Sequence, residues 1–158
     1  MPIPLPEALT EFVEGGMSIL VGTRDAALRP EASRGVGASV SPDRSRLTVY
    51  LNVAVADRTL ANIDENGEIA VTFSRVVDHR TFQVKGKVLG VRRSGKKDRG
   101  IQEQWLAAFV EQLYLAGLPR SISRRLRFWP SVAVEFEIHD VFAQTPGPGA
   151  GRKLEVAG

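Results

Sequence analysis

Two arginines in the sequence, Arg34 and Arg58, stand where an anion could bind. Arg34 opens the strand-like run RGVGASV, and Arg58 stands beside Thr59 in the first turn of a predicted helix. A planar guanidinium holds a phosphate through two parallel hydrogen bonds, a threonine hydroxyl adds a third, and the free amides of a helix N-terminus favour negative charge. We therefore predict a phosphate site at Arg34, Arg58 and Thr59. The alternative is that both arginines are surface residues paired with nearby aspartates.

Two further candidates lie on the strand-like run RLTVYLNV, residues 46–53. This run alternates apolar residues with polar or aromatic ones, as a half-buried strand does. Tyr50 and Asn52 fall on the same side and are predicted to point together. Gly35 and Gly37 in the preceding run would let a flat ring lie against the backbone. Tyr50 and Asn52 are therefore candidates to contact such a ring, or the chain that joins it to a phosphate.

Catalysis by side chains alone is not indicated. The sequence has no cysteine, which excludes a disulfide, a thiolate nucleophile and a cysteine-bound metal. His79 and His139 are far apart in the sequence and lack the spacing of metal ligands. Neither a nucleophile-elbow serine nor a phosphate-binding P-loop is present. If the chain is an enzyme, a bound cofactor must supply the reactivity.

The composition is that of one globular domain, with 158 residues of which 43% are hydrophobic and 25% are charged. The N-terminal sequence does not resemble a signal peptide, and no segment approaches the roughly 20 apolar residues of a membrane span. We expect a soluble, cytoplasmic protein with no membrane partner. The net charge of +3 rests on sixteen arginines against five lysines, spread along the chain. This predicts a solvated surface with a local anion site, and nucleic-acid binding is the alternative.

The pattern of elements predicts a mainly β fold, a small six-stranded antiparallel barrel with inserted helices. The helices fall between the third and fourth strands and between the fifth and sixth. Asp57 is a candidate N-cap for the first inserted helix, which Gly67 ends. Gly86 predicts a bulge or sharp bend in the fifth strand.

One domain is predicted over residues 1–145, with a helical insert at about 95–128. The apolar stripe of that insert, which includes Trp105 and Phe109, is predicted to face the core. Residues 146–158 are rich in proline and glycine and are predicted to form a flexible tail.

The order of these elements and several motif positions resemble the pyridoxamine 5′-phosphate oxidase-like family of FMN-binding split barrels, over roughly residues 5–142. The run RGVGAS keeps the arginine of the family's Arg-x-x-x-x-Lys strand as Arg34 and has Ser39 in the lysine position. Tyr50-Leu51-Asn52 is similar to the family's Tyr-Thr-Asn strand end, and Asp57-Arg58-Thr59 is similar to its Ser-Arg-Lys helix start.

The resemblance implies a homodimeric split β-barrel of the FMN-binding type, with FMN at the subunit interface. Thr81 would correspond to the glutamine or serine that the second subunit supplies. The implied activity is that of a flavin-dependent oxidoreductase acting on an unidentified small molecule. The oxidase proper carries a C-terminal arginine-bearing segment that this chain lacks, so oxidation of pyridoxamine phosphate itself is not expected.

Two alternatives stay open because Ser39 and Thr59 replace two cationic ligands of the family and Asp57 adds a negative charge. In the first, the barrel is a carrier or sensor that binds another planar cofactor, such as a deazaflavin or haem, without turnover. In the second, the arginine-rich residues 120–127 make the chain a nucleic-acid- or anion-binding module.

Overall fold

The computed structural model describes residues 1–156. Those residues form four α-helices and seven β-strands, and a short 3-10 turn at Val53–Val55 joins the third strand to the second helix. In chain order the elements are α1 (Glu7–Glu14), β1 (Ser18–Arg24), β2 (Pro30–Val40), β3 (Arg46–Asn52), α2 (Asp57–Asn66), β4 (Glu68–Ser74), β5 (Thr81–Arg93), α3 (Lys96–Leu115), α4 (Arg120–Ser123), β6 (Ser131–Ala143) and β7 (Arg152–Lys153).

The strands form one antiparallel sheet in the order β3-β2-β1-β4-β5-β6-β7. β3 also pairs with β6, with Val49 opposite Val134, and this pairing closes the first six strands into a barrel. Inward side chains such as Val21, Phe73 and Phe136 are fully buried. The predicted six-stranded antiparallel split barrel with inserted helices is therefore confirmed, because alternation along each strand places one side in a single core.

The helix α2 packs on the sheet through buried polar pairs as well as apolar contacts. Asn62 donates a hydrogen bond from Nδ2 to Thr23 Oγ1 at 3.1 Å, and both residues are buried. The prediction of Asp57 as N-cap is wrong, because the capping position is Ala56, which has no side-chain acceptor, and Asp57 is the first helical residue. The predicted end at Gly67 is confirmed, since Gly67 has φ of 70° and its amide bonds to the Ile63 carbonyl.

The long helix α3 lies on the outside of the barrel, against β2. Trp105 is buried, stacks on Phe109 with ring centroids 5.0 Å apart, and donates its indole N–H to the Met17 carbonyl at 2.9 Å. The predicted core role of this apolar stripe is confirmed. Within residues 1–156, no helix is long and apolar enough to cross a membrane.

Two boundaries differ from the sequence predictions. β2 begins at Pro30, so Arg34 lies inside the strand, because Pro30 to Gly35 pair with β1. The predicted tail contributes β7, whose Arg152–Lys153 pairs with the end of β6, and the Leu154 amide donates to the Val141 carbonyl at 2.8 Å. Local sequence does not show this pairing, because its hydrogen-bond partners are supplied by a distant strand.

The predicted irregularity at Gly86 is confirmed by a register shift between Lys85 and Gly86 in the pairing of β5 with β6. A Cβ atom at Gly86 would lie 1.9 Å from the Glu137 carbonyl oxygen and 2.8 Å from the Phe136 ring. Gly90, on the same strand, has nothing within 4 Å of its Cβ position. The two glycines therefore allow a matched comparison of alanine substitutions, one at a crowded position and one at an open position of the same strand.

We expect Gly86→Ala to lower the free energy of unfolding by about 1–3 kcal/mol or more, because the backbone of β6 must move to admit the methyl group. Gly90→Ala should have almost no effect. Urea denaturation of both variants against the wild type measures the difference. Equal stability of the two variants would contradict the close approach at Gly86.

Candidate functional site

Arg34 lies on the outer face of the sheet and is exposed. Its guanidinium has one hydrogen-bond partner among residues 1–156, Ser18 Oγ at 3.4 Å, and makes no ion pair there. Arg34 is opposite Leu20, whose side chain is 47% exposed although it lies in a central strand. Arg34 is therefore a cation with free donors beside an uncovered apolar side chain.

Arg58 lies in the first turn of α2 and its side chain is 80% exposed. Its Nη1 is 3.4 Å from Glu31 Oε2, which is a long ion pair that water screens. No side chain caps α2, so the amides of its first turn remain available to an anion. Asp57 places a carboxylate in the same turn and partly offsets this attraction.

Thr59 joins the two arginine-bearing segments. Its side chain is fully buried, and its hydroxyl lies 2.5 Å from the Ser33 hydroxyl. Because Ser33 precedes Arg34 and Thr59 follows Arg58, this contact holds the middle of β2 against the start of α2. Because the Thr59 hydroxyl is already hydrogen-bonded to Ser33, Thr59 positions β2 and α2 relative to each other and does not offer a free hydroxyl to a ligand.

Tyr50 lies on the outer side of β3 but is buried under the start of α3. Its hydroxyl donates to Asp98 Oδ1 at 2.8 Å, and Asp98 also receives two hydrogen bonds from Arg92, at 2.6 and 2.9 Å, and one from the Gly95 amide at 2.7 Å. The Arg92 guanidinium holds the pKa of Asp98 well below its usual value, against the opposing effect of burial. Burial, and next the hydrogen bond to Asp98, raises the pKa of Tyr50 to about 12.

The same helix covers the glycine-dotted half of β2. Gly37 has φ of 130°, and a Cβ there would lie 3.3 Å from Gln102 Cγ. Gln102 is fully buried and donates to the Val36 and Phe128 carbonyls at 3.3 and 3.2 Å, while Ser131 donates to its Oε1 at 2.8 Å. The surface on which the sequence predicts a flat ring is therefore occupied by α3 in this structure.

Asn52 is also engaged within the chain. Its Oδ1 accepts a hydrogen bond from the Ala54 amide at 2.8 Å, and its Nδ2 donates to the Arg127 carbonyl at 3.2 Å. The side chain thus caps the 3-10 turn after β3 and ties it to the segment before β6. Tyr50 and Asn52 do both lie on the outer side of β3, but neither offers a free polar group.

Thr81 begins β5, and its hydroxyl donates to Ser74 Oγ at 3.0 Å or to the His79 carbonyl at 2.8 Å. Gln83, two residues on, donates to Thr72 Oγ1 at 3.1 Å. Alternation places both side chains on the outer face of the sheet, the face that carries Arg34. Thr81 could therefore meet another subunit only through that face.

An open groove of about 550 Å³ crosses this outer face. Its floor is made of the small residues Gly22, Ala32 and Ala70, and charged residues border it, namely Arg24, Glu31, Glu68 and Lys85. The volume is within the range of small-molecule sites. Neither Arg34 nor Arg58 lines the groove. Arg34 is two residues after the groove residue Ala32 on the same face of β2, whereas Arg58 contacts the groove residue Glu31, which alternation places on the other face.

The structure thus fits a phosphate-bearing planar group in part. Arg34 and Arg58 are exposed but do not line the groove, whereas Tyr50, Asn52 and Thr59 are bonded within the chain. Sequence reasoning missed the groove and the Asp98 cluster. The run SGKKD carried a signal for Asp98, because a carboxylate three residues after an N-cap can accept a hydrogen bond from the N-cap amide. Asp98 Oδ2 accepts from the Gly95 amide at 2.7 Å, and Gly95 has no side chain to return the bond.

No protein-family model matches the sequence, and no curated protein matches it. Solved structures do match it. A candidate pyridoxamine 5′-phosphate oxidase from Lactobacillus delbrueckii is similar with a TM-score of 0.56 at 16% identity, over 89% of this chain and 94% of that chain. An F420 reductase has a TM-score of 0.58 at 13% identity, over 87% and 98%. An FMN-binding protein from Syntrophomonas wolfei has a TM-score of 0.53 at 15% identity, over 85% and 84%. At such identities the likeness shows a shared fold.

The Asp98 cluster makes a testable contribution to stability. Because the folded pKa of Asp98 lies below its unfolded value, its contacts stabilise the protein fully above the unfolded pKa and are lost as the pH falls below it. We expect Asp98→Asn to cost roughly 1.5–3 kcal/mol at neutral pH, as for hydrogen bonds to a charged group. The difference from wild type should shrink below about pH 4.

Thermal and urea unfolding across pH measure this effect. The control is Asp64→Asn, which removes an exposed carboxylate that makes no ion pair among residues 1–156 and should change stability little. A constant difference between Asp98→Asn and wild type from neutral to acid pH would contradict the assignment.

Proposed function

We propose that this chain, which has the split β-barrel fold found in pyridoxamine 5′-phosphate oxidase-like proteins, binds FMN and works as a flavin-dependent oxidoreductase on a small molecule. The observation that supports this most directly is that both arginines are exposed with free donors near the open groove, Arg34 two residues after its residue Ala32 and Arg58 in contact with its residue Glu31. The FMN-binding protein and the F420 reductase that share the fold support the same class of ligand.

Arg34 and Arg58 are proposed to bind the phosphate. Both guanidiniums have free donors, and the uncapped first turn of α2 adds backbone amides. Thr59 supports them by holding β2 against α2 through Ser33. Release of Arg58 from Glu31 costs little, because that ion pair is long and exposed.

The flat ring is proposed to lie in the groove over Gly22, Ala32 and Ala70, beside Leu20. Residues without large side chains allow a ring to approach the backbone closely. A second copy of the chain would cover the ring and supply Thr81, so the proposal includes a homodimer joined through the outer face. Covering the exposed Leu20 would also remove apolar surface from water.

A bound flavin would supply hydride transfer, and the residues of the chain would bind, orient and shield it. The prediction that Tyr50 and Asn52 contact the cofactor stays a prediction, and such contact requires α3 to move from β3. The predicted cytoplasmic location likewise stays a prediction.

The second candidate is a carrier or sensor that binds another planar cofactor, a deazaflavin or haem, without turnover. Two observations favour it. Ser39 and Thr59 replace cationic ligands, and α3 covers the β3 face. A ligand that carries less phosphate charge would need fewer cationic ligands, and a different ring could bind at a surface that α3 does not cover.

The visible absorption spectrum of the purified protein tests both candidates, followed by titration of the apo protein with FMN, FAD, a deazaflavin and haem. We expect Arg34→Ala and Arg58→Ala each to weaken FMN binding by about 1.5–3 kcal/mol, which is roughly 10- to 150-fold. The control Arg46→Ala removes an arginine that is 45% exposed and pairs with Glu135, and neither of these residues lines the groove. Wild-type affinity in both test variants would overturn the phosphate site.

The ring position has a separate test. Ala32→Trp would fill the groove without touching the core, so we expect it to weaken both FMN binding and self-association by tenfold or more, on the order of 1.4 kcal/mol. Fluorescence titration and light scattering measure the two effects. Leu89→Trp, at an exposed position farther along β5, serves as control. FMN affinity unchanged in Ala32→Trp, or a wild-type protein that stays monomeric at micromolar concentration, would contradict this arrangement.

A further inference from the structure

The turn between α3 and α4 exposes an unusual amount of apolar surface. Over residues 114–122 four large apolar side chains are exposed: Tyr114 at 47%, Leu115 at 70%, Leu118 at 37% and Ile122 at 56%. The chain reverses there through Gly117, whose φ is 100°. We call residues 114–125 the apolar tip. None of these four side chains belongs to the buried core cluster.

Basic residues outnumber acidic ones around the apolar tip. Between Glu111 and Glu135 the sequence has four arginines and no carboxylate side chain. Arg120 is paired with Glu111 at 2.8 Å and covers the Tyr114 ring at 3.6 Å. In the part of the chain that the structure describes, Arg124 and Arg125 have no ion-pair partner within 4.0 Å, although both are exposed.

Apolar and basic side chains are both exposed at the tip. Ile122 lies in α4, Leu118 precedes this helix and Arg125 follows it, and all three are exposed, whereas Ser123 is buried. Beside these residues a groove of about 290 Å³ is lined by apolar side chains, including Val110 and Phe128, and by Arg124, Glu103 and Glu111. Apolar surface and unpaired arginines therefore lie close together at the tip, while Glu111 is already paired with Arg120.

We propose that the apolar tip docks on an anionic lipid bilayer, with Leu115, Leu118 and Ile122 at the boundary between headgroups and acyl chains and Arg124 and Arg125 on the lipid phosphates. Exposed aliphatic side chains flanked by arginines are the combination that an interfacial contact requires. We expected no membrane partner from the sequence because it has no membrane-spanning segment. A contact at the membrane surface does not require such a segment.

Two other occupants fit the surface less well. Contact between the tips of two identical chains would bring their unpaired arginines together, which is repulsive. Nucleic acid would satisfy the arginines but would leave the aliphatic side chains without a partner, since its recognition relies on phosphate contacts and aromatic stacking. The proposal is independent of the flavin site and needs no cofactor for its test.

The test is co-sedimentation of the apo protein with vesicles of phosphatidylcholine alone and of phosphatidylcholine mixed with phosphatidylglycerol, at low and high salt. We expect binding to the mixed vesicles that weakens with salt. Arg124→Ser/Arg125→Ser should lower the partition coefficient on the order of 30-fold, as for two basic residues at an anionic surface. Leu115→Gln/Ile122→Gln should lower it by roughly tenfold or more.

Matched controls separate the tip from general effects. Leu28→Gln changes a leucine that is 71% exposed, as Leu115 is, at a different place on the surface. Arg29→Ser/Arg46→Ser removes the same charge elsewhere. The controls should keep wild-type binding, and all variants should keep the wild-type melting temperature because the changed side chains are exposed.

Four results would overturn the proposal. The first is no binding to mixed vesicles at low salt, and the second is equal loss in test and control variants. The third is a smaller oligomer for Leu115→Gln/Ile122→Gln than for wild type, which would make the tip a contact between copies. The fourth is salt-sensitive binding of single-stranded RNA that the arginine variant loses and the apolar variant keeps, with no binding to vesicles.

Discussion

Closure of the sheet by the pairing of β3 with β6 is the constraint on which the rest of the structure depends. Once the barrel is closed, its interior is too small for anything but packed side chains, and inward positions must be apolar. Polar groups can act only on the outer surface or at the ends. The Thr59–Ser33 and Asn62–Thr23 pairs at α2 show how buried polar groups there must bond to one another.

The outer surface is divided by α3. The helix covers β2 and β3 through Trp105 and through the Asp98 cluster at its start, so Tyr50 and Gly37 become part of a packed interface. The face that carries Arg34 stays uncovered. The far end of α3 extends to the apolar tip. Two surfaces therefore stay exposed: the face with Arg34, where we propose a small ligand, and the tip, where we propose contact with lipid.

Much of the fold could be predicted from local pattern. Alternation in RLTVYLNV identified a strand, and Gly67 and Gly86 marked a helix end and a bulge because those backbone positions admit no ordinary side chain. Two of the misses share one cause, because the extension of β2 and the strand β7 depend on partners distant in sequence. The third is a shift of one residue, since the N-cap of α2 is Ala56 and not Asp57.

The candidate site likewise has features that follow from local sequence and features that depend on distant parts of the chain. The sequence by itself determined which residues carry positive charge, that no cysteine is present, and that the pattern of strands is that of an antiparallel barrel. Only the tertiary structure decided which groups are free. Arg34 stays exposed because its side of β2 faces solvent, whereas Tyr50 lies under α3 and bonds to Asp98. Periodicity identifies the side of a strand on which a residue lies, but what covers that side depends on packing between elements far apart in the chain.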